Sequence, residues 1–411
     1  MNLDSFHQIS LFLPQNLKNS SGKRDRGQAL RHMKMYYVAN ARMPNEKAHG
    51  IQLAKQCEAF VAAGIDLELI LPRQHNPLSD TIPDFYALGE SIPVRTLPVL
   101  MLGKSGFAFN LKSLSFSLTS FLYLFCKVQR EKAVVYTIDL DQFSFFPLPL
   151  LRVPVFFEVH GSKKKSPMLS FFLKRVCGVI TNSGGVAAKF RADFGISKEK
   201  IMTAPNGIDP KLFPSNLSKQ EARKVLGLPF EKSIAVHTGQ FYDWKGLGII
   251  AQAAAMLPEI LFYMVGGTEE GFRRVTSVQK IPKNVICVGH KRLGDIPAWV
   301  AAADSVLVLG TKSNSYSYTE TSPMKMFEFL ASGRPMVVSG TLANCEIVTE
   351  REVCFYEPDN VDAFVEAIKE SLHGDDRWKR AAYGKEKAKA YTWEQRTKAI
   401  LEFITSSEAD K

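Results

Sequence analysis

The chain has 411 residues, 45% of them apolar and 23% charged, which suits two ordinary globular domains and excludes fibrous, collagen-like and disordered classes. Its formal charge of +11, from 52 basic against 41 acidic residues, points to a polyanionic partner: nucleic acid, a phosphorylated ligand or an anionic membrane. The excess is uneven, with 27 basic against 16 acidic residues up to Phe213 and 25 against 25 thereafter.

In chain order, residues 1–33 hold no secretory h-region and read as a poorly ordered extension outside the fold. From Lys34 short β-branched or aromatic runs alternate with helical patterns, the mark of a parallel sheet with crossover helices. Strands are predicted at 35–40, 65–71, 133–138, 153–159, 178–182 and 200–205, then again at 233–239, 260–266, 284–289, 305–310 and 334–339. Two doubly wound α/β domains follow, 34–213 and 214–390, meeting in a Pro- and Ser-containing stretch after Pro205-Asn206-Gly207. In 391–411, Trp393, Thr397, Ile400, Leu401 and Ile404 recur at helical spacing, so a last helix has a face to bury. The six cysteines form no C-x-x-C pair, which fits a reducing cytoplasm rather than a zinc knuckle or disulfide framework. The longest uncharged, largely apolar stretch, 113–126, falls short of the roughly 20 residues that cross a bilayer.

Open α/β sheets bind ligands beyond the carboxyl ends of their strands, so the site is expected in the cleft between the two domains. The most informative segment begins at Glu320 and runs through Ser322, Pro323, Met324, Lys325 and Glu328 to Gly333 and Pro335. Ser322 is a good N-cap, Pro323 suits the first helical position and Gly333 a left-handed cap. Met324, Phe327, Leu330 and Ala331 cover one side of this helix while Met326 and Phe329 extend the apolar surface, which predicts burial. Glu328 among them needs partners. Glu320 and Glu328 suit sugar hydroxyls, and the N–H groups between them suit a phosphate; the alternatives are a structural carboxylate and an ordinary loop acid.

This segment resembles the E-x7-E signature of retaining glycosyltransferases of the GT-B fold, the group called glycosyltransferase family 4, and the likeness runs from Met35 to about Ile404. The resemblance implies two Rossmann-like domains facing across a cleft, an N-terminal acceptor domain and a C-terminal donor domain, with the last helix returning to the first. It implies that Glu320 contacts the transferred sugar and Glu328 the ribose of the nucleotide. The segment 236–246 resembles the family's phosphate loop, with Lys245 on the donor diphosphate and Gly239 allowing close approach; an exposed turn lysine is the alternative. Many members carry Arg after that glycine, where this chain has Gln240, so the donor clamp is weaker or is assisted by Lys325. Gly266 and His290 match pocket-lining positions, and either can equally be a bare turn or a surface histidine.

On the acceptor side, Lys47, His49 and Gly50 resemble the family's first loop, where the glycine lets amides approach a phosphate or the acceptor. A solvated polar loop is the alternative for both side chains. Glu158 and His160 point to the same side of a strand and resemble the E-x-H-G segment, where the histidine reaches the reaction centre. Asp139 and Asp141 spell D-x-D, read here as a solvated loop or an acceptor contact rather than a metal site.

The resemblance thus implies transfer from a nucleotide-diphosphate sugar to a glycan or lipid-linked acceptor hydroxyl, with Glu320, His160 and Lys245 catalytic and no metal or other cofactor. Cell-surface polysaccharide, lipopolysaccharide or glycolipid synthesis in the cytoplasm, at the inner face of the membrane, is the implied setting. A catalytically silent sugar-nucleotide-binding subunit is the rival reading. No G-x-G-x-x-G turn supports a dehydrogenase, and no recognition module supports nucleic acid as partner. Leu111, Leu114, Leu118, Phe121, Leu122, Phe125 and Val128 recur at helical spacing beside Lys104, Lys112, Lys127 and Arg130, with Lys163 to Lys165 adding positive charge. That stripe is either core between helix and sheet or a surface for anionic lipid.

Overall fold

The computed structural model describes residues 33–101, 106–141, 145–213 and 216–409. The expected extension lies outside them except for Met33, which is buried in the first core and so belongs to the fold. Lys104 and part of the expected domain junction also lie outside the described residues.

Among the described residues thirteen strands form two parallel sheets. The first holds β1 (Lys34–Val38), β2 (Asp66–Pro72), β3 (Val94–Leu97), β4 (Ala133–Ile138), β5 (Val155–Val159), β6 (Gly178–Thr181) and β7 (Ile201–Thr203), in the order β3-β2-β1-β4-β5-β6-β7. The second holds β8 (Ser233–Thr238), β9 (Ile260–Val265), β10 (Val285–Cys287), β11 (Ser305–Val308), β12 (Met336–Ser339) and β13 (Cys354–Tyr356), in the order β10-β9-β8-β11-β12-β13. Nearly every central strand is buried along its length, as a parallel sheet covered on both faces requires. Sequence periodicity missed β3 and β13: VRTL is exposed and carries a charge, and CFY has only three residues.

The helices beside the first sheet are α1 (Ala48–Ala62), α2 (Ile82–Tyr86), α3 (Gly106–Val128), α4 (Pro167–Arg175) and α5 (Gly184–Phe194). Those of the second are α6 (Lys219–Leu226), α7 (Gly248–Met256), α8 (Glu269–Thr276), α9 (Ile296–Ala302), α10 (Met324–Ser332), α11 (Leu342–Cys345), α12 (Val361–His373) and α13 (Arg377–Ala388). The last helix, α14 (Trp393–Ala409), packs on α1 and β6, burying Ile400, Leu401 and Ile404 in the core of the first sheet. In each sheet the strand order reverses once, between β1 and β4 and between β8 and β11. Both crevices open at the carboxyl ends of the strands, where ligands are taken up.

Candidate functional site

The second crevice is built around Gly239, which leaves β8 at φ +106°, a backbone angle that disfavours a side chain. A Cβ there would lie 3.6 Å from Lys325 Nζ and 3.7 Å from Lys245 Nζ, so two ammonium groups converge on this glycine. Lys245 Nζ donates to the Gln240 carbonyl (2.7 Å) and lies over the rings of Tyr242 and Trp244. Burial lowers its pKa to about 8. Lys325, reaching down from α10, is lowered well below the ordinary lysine value by burial and then by Lys245.

His237, which sequence reasoning passed over, explains how Lys325 is held. This fully buried residue donates from Nδ1 to the Leu307 carbonyl (3.1 Å), which leaves Nε2 to accept from Lys325 Nζ at 3.0 Å. Burial and the two lysines keep the ring neutral. The signal available in the sequence was its place two residues before Gly239 on the strand.

Glu328 lies one turn beyond Lys325, and burial, opposed by Lys325, raises its pKa to about 7. Glu320 ends the wide turn Tyr316–Glu320 and is 2% exposed. Its carboxylate accepts from the Ser162 N–H of the first domain (2.6 Å), and its carbonyl from the Ser183 hydroxyl (2.8 Å). Trp244 packs edge-on against Tyr316 at 5.1 Å, joining the phosphate-loop segment to the turn that carries Glu320.

Several expectations change. Helix α10 begins at Met324 with Pro323 as its N-cap residue, not Ser322. The Ser322 hydroxyl instead accepts from the Asn206 N–H (3.1 Å), and its carbonyl from the Asn206 side chain (2.7 Å), so it fastens the interdomain turn. Met324 is only half-buried, unlike the other apolar residues of that helix. Gly266 is required by packing, since a Cβ would meet the Gly239 carbonyl at 2.5 Å. His290 is exposed after the edge strand β10. Gln240 turns away from the lysines, its Nε2 reaching the Glu46 carbonyl (3.4 Å) and its oxygen accepting from the Tyr242 hydroxyl.

In the first crevice, His160 Nε2 lies 2.6 Å from Glu158. Glu158 is wholly buried and also bonded to Arg396 (2.6 Å), Gln52 (2.8 Å) and Tyr136 (2.5 Å), so it orients His160 rather than meeting an acceptor. The Gly50 N–H is taken by the Lys47 carbonyl (2.9 Å), and a Cβ on Gly50 would strike the Tyr86 hydroxyl and Asn45, so packing accounts for this glycine. His49 is no cation for an anion, because burial, then Lys47 and His160, lowers its pKa to about 4; Lys47 is exposed. Asp139 and Asp141 are not a solvated loop: Asp139 pairs with Lys163, and buried Asp141 accepts from Asn40. Among the described residues no group of three or more acidic, histidine or cysteine side chains is placed to hold a metal.

Comparison with known proteins agrees with this architecture. Residues 50–212 match the family model Glycosyltransferase Family 4, and residues 218–390 the model Glycosyl transferases group 1. A D-inositol 3-phosphate glycosyltransferase of Xylanimonas cellulosilytica is 27% identical over 229 residues, 51% of this chain and 52% of that protein. A Bacillus subtilis glycosyltransferase named for teichuronic acid biosynthesis, TuaH, is 25% identical over 185 residues, 44% of this chain and 45% of that one. The chain thus spans about half the length of the curated relatives it matches. Sucrose-phosphate synthase of Thermosynechococcus elongatus superposes with a TM-score of 0.71 at 18% identity, over 92% of this chain and 100% of that one. Anabaena HepE in complex with UDP and glucose gives 0.68 at 17% identity, over 91% of this chain and 100% of that one. At such identities the likeness concerns the fold, the GT-B pair of Rossmann-like sheets. With the first domain matched by one of these models and the second by the other, the chain belongs to the glycosyltransferases of the family 4 type.

Proposed function

We propose that the protein transfers a glycosyl group from a nucleotide-diphosphate sugar to an acceptor hydroxyl with retention of configuration. The observation that carries this reading is the convergence of Lys245 and Lys325 on Gly239 at the crevice of the second sheet, with Glu328 one turn beyond Lys325 on α10 and Glu320 on the turn before that helix. As the bond from the anomeric carbon to the diphosphate oxygen breaks, negative charge grows on the leaving group, where the two ammonium groups stabilise it. The acceptor hydroxyl attacks the same face and passes its proton to the departing phosphate oxygen, so no protein nucleophile is needed. Glu320 holds the sugar, Glu328 the ribose, and His160, fixed by Glu158, faces the reacting centre. With the lysines meeting the diphosphate charge, no metal is assigned a part. HepE, whose solved complexes hold UDP and UDP-glucose, supports a sugar nucleotide as donor.

The basic first half suits an acceptor carried on an anionic surface, and synthesis of cell-surface polysaccharide, lipopolysaccharide or glycolipid at the cytoplasmic face of the membrane is the setting proposed. A silent sugar-nucleotide-binding subunit is the second reading, favoured by the one departure at Gln240.

A thermal-shift panel of nucleoside diphosphates and their sugars tests the donor site, since a ligand at a hundredfold excess over its Kd adds about 2.7 kcal/mol to stability. At least one is expected to raise the midpoint by several degrees. Glu320→Ala is then expected to lower turnover of that donor about 100-fold or more. Stabilisation without any transfer or hydrolysis would establish the silent subunit instead.

A further inference from the structure

Helix α3 turns its small and hydroxyl-bearing residues inward. Its buried side is Ala108, Ser113, Phe116, Ser117, Ser120 and Leu124. The serines have partners: Ser113 accepts from Asn40 (2.9 Å) and Ser120 donates to the Ser117 carbonyl (3.0 Å). Phe116 and Leu124 are buried and Phe121 and Val128 pack against the core, whereas Phe107, Leu114, Leu118, Leu122 and Phe125 face outward, between 48 and 77% exposed. Exposed Leu100 extends the strip, its N–H bonded to Ser115 of α3 at 2.9 Å. From Phe107 to Phe125 the strip runs about 27 Å at 1.5 Å per residue, a larger apolar face than an isolated protein ordinarily leaves in water.

Cations border this strip. Lys112 Nζ lies 5.4 Å from the Phe109 ring and Lys127 5.8 Å from the Tyr123 ring, while Arg95, 5.9 Å from the same ring, is paired with Glu68 of β2 (3.3 Å). Helix α3 contains no acidic residue. A second copy docked on this face would set Lys112 and Lys127 near their own counterparts, whereas an anionic lipid surface complements them. Among the described residues no helix is long and apolar enough to cross a membrane, so α3 would lie in the plane of the interface.

We propose that α3 is a membrane-docking helix whose outer strip enters the acyl boundary of an anionic phospholipid bilayer while Lys112 and Lys127 meet headgroup phosphates. Asn40 and Gln74 follow β1 and β2, and their bonds to Ser113 and Lys112 (3.1 Å) tie the first half of α3 to the carboxyl edge of the first sheet. A docked α3 therefore sets the acceptor crevice beside the lipid. Resting on the proposed transfer reaction, this makes the acceptor one whose hydroxyl is carried on a lipid.

The test is co-sedimentation of the full chain with vesicles of phosphatidylcholine alone or mixed with phosphatidylglycerol, at low and moderate salt. The expected result is binding to the anionic vesicles only, weakened by salt. Leu118→Asp with Leu122→Asp is expected to lower it at least tenfold, and Lys112→Gln or Lys127→Gln about fivefold each. Absence of wild-type binding at low salt, or equal binding by the Asp variant, overturns the proposal. So does a wild-type dimer that the same variant dissociates, which would assign the strip to a second copy. Nucleoside diphosphate thermal shifts on each variant report folding and the donor site separately. Vesicle binding without any nucleotide shift would sink the transfer reading and leave the docking surface standing.

Discussion

Lys245 and Lys325 hold two ammonium groups close together without a carboxylate ion pair to either among the described residues. Such an arrangement is unfavourable until an anion joins it. Each lysine has a neutral acceptor, the Gln240 carbonyl for Lys245 and the His237 ring for Lys325. The second cation is thus supplied from α10 rather than from the position next to Gly239, where this chain carries Gln240. Glu328 beside them is the titrating residue to follow. Its pKa rises from 4.5 to about 7 through burial, with Lys325 opposing. Below pH 4.5 it is protonated in both folded and unfolded chains. Between 4.5 and 7 the unfolded chain ionises first, so the stability this group contributes is full at low pH and is lost as pH rises through about 7. Glu328→Gln, neutral throughout, is therefore expected to melt a few degrees above the parent at pH 8, at about 2–4 °C per kcal/mol for a domain of this size. Calorimetry from pH 5 to 8 checks this, and a gap that does not narrow toward pH 5 would mean that Glu328 titrates as it does in water.

Among the elements, α14 shows how a late segment organises an early one. Arg396 on α14 is 5% exposed and reaches Glu158 at the end of β5, as well as Gln56 on α1 and the Ala204 and Pro205 carbonyls. Burial pushes the Glu158 carboxyl up, but Arg396, His160 and Tyr136 together hold it at about 2. Removing one partner of a buried pair costs about 3–5 kcal/mol, because the other charge is left uncompensated. Arg396→Met is expected to destabilise the protein by that amount in urea titrations, and adding Glu158→Gln to recover part of it. Additive losses would show that the pair does not act as a unit. Helix α3 gives the complementary lesson. Its stripe was plain in the spacing of Leu114, Leu118, Leu122 and Phe125, yet periodicity is identical whether a stripe faces core or solvent. In the structure Ser113 faces inward, bonded to Asn40, while Leu114, Leu118, Leu122 and Phe125 face solvent.

At the scale of the molecule the two domains meet through Glu320, Ser183 and the start of α5. The Gly184 N–H donates to Glu346 (2.8 Å), and a Cβ on Gly185 would fall 1.7 Å from the Thr319 carbonyl oxygen, so Gly185→Ala must push the domains apart. Since Lys245, Lys325 and Glu328 all belong to the second domain, this variant is expected to keep the nucleotide thermal shift while turnover falls about tenfold to 100-fold, the effect of misplacing reacting groups by about 1 Å. Unchanged turnover would mean that this contact is dispensable for the reaction. The alternation of strands and helices and the face that α14 has to bury were legible in the sequence because backbone periodicity is a local property, while the return of α14 and the reading of the E-x7-E segment came with the family resemblance. The roles of Ser322, Gly50, His49 and Glu158 were not, because charge state and bonding depend on what folding brings near. His237 and Lys325 are 88 residues apart in the chain, and Glu158 and Arg396 are 238 apart, so no local pattern could announce either pair. The sequence determined the fold class and the family signature; only tertiary structure decided which of those residues face a ligand and which hold the others in place.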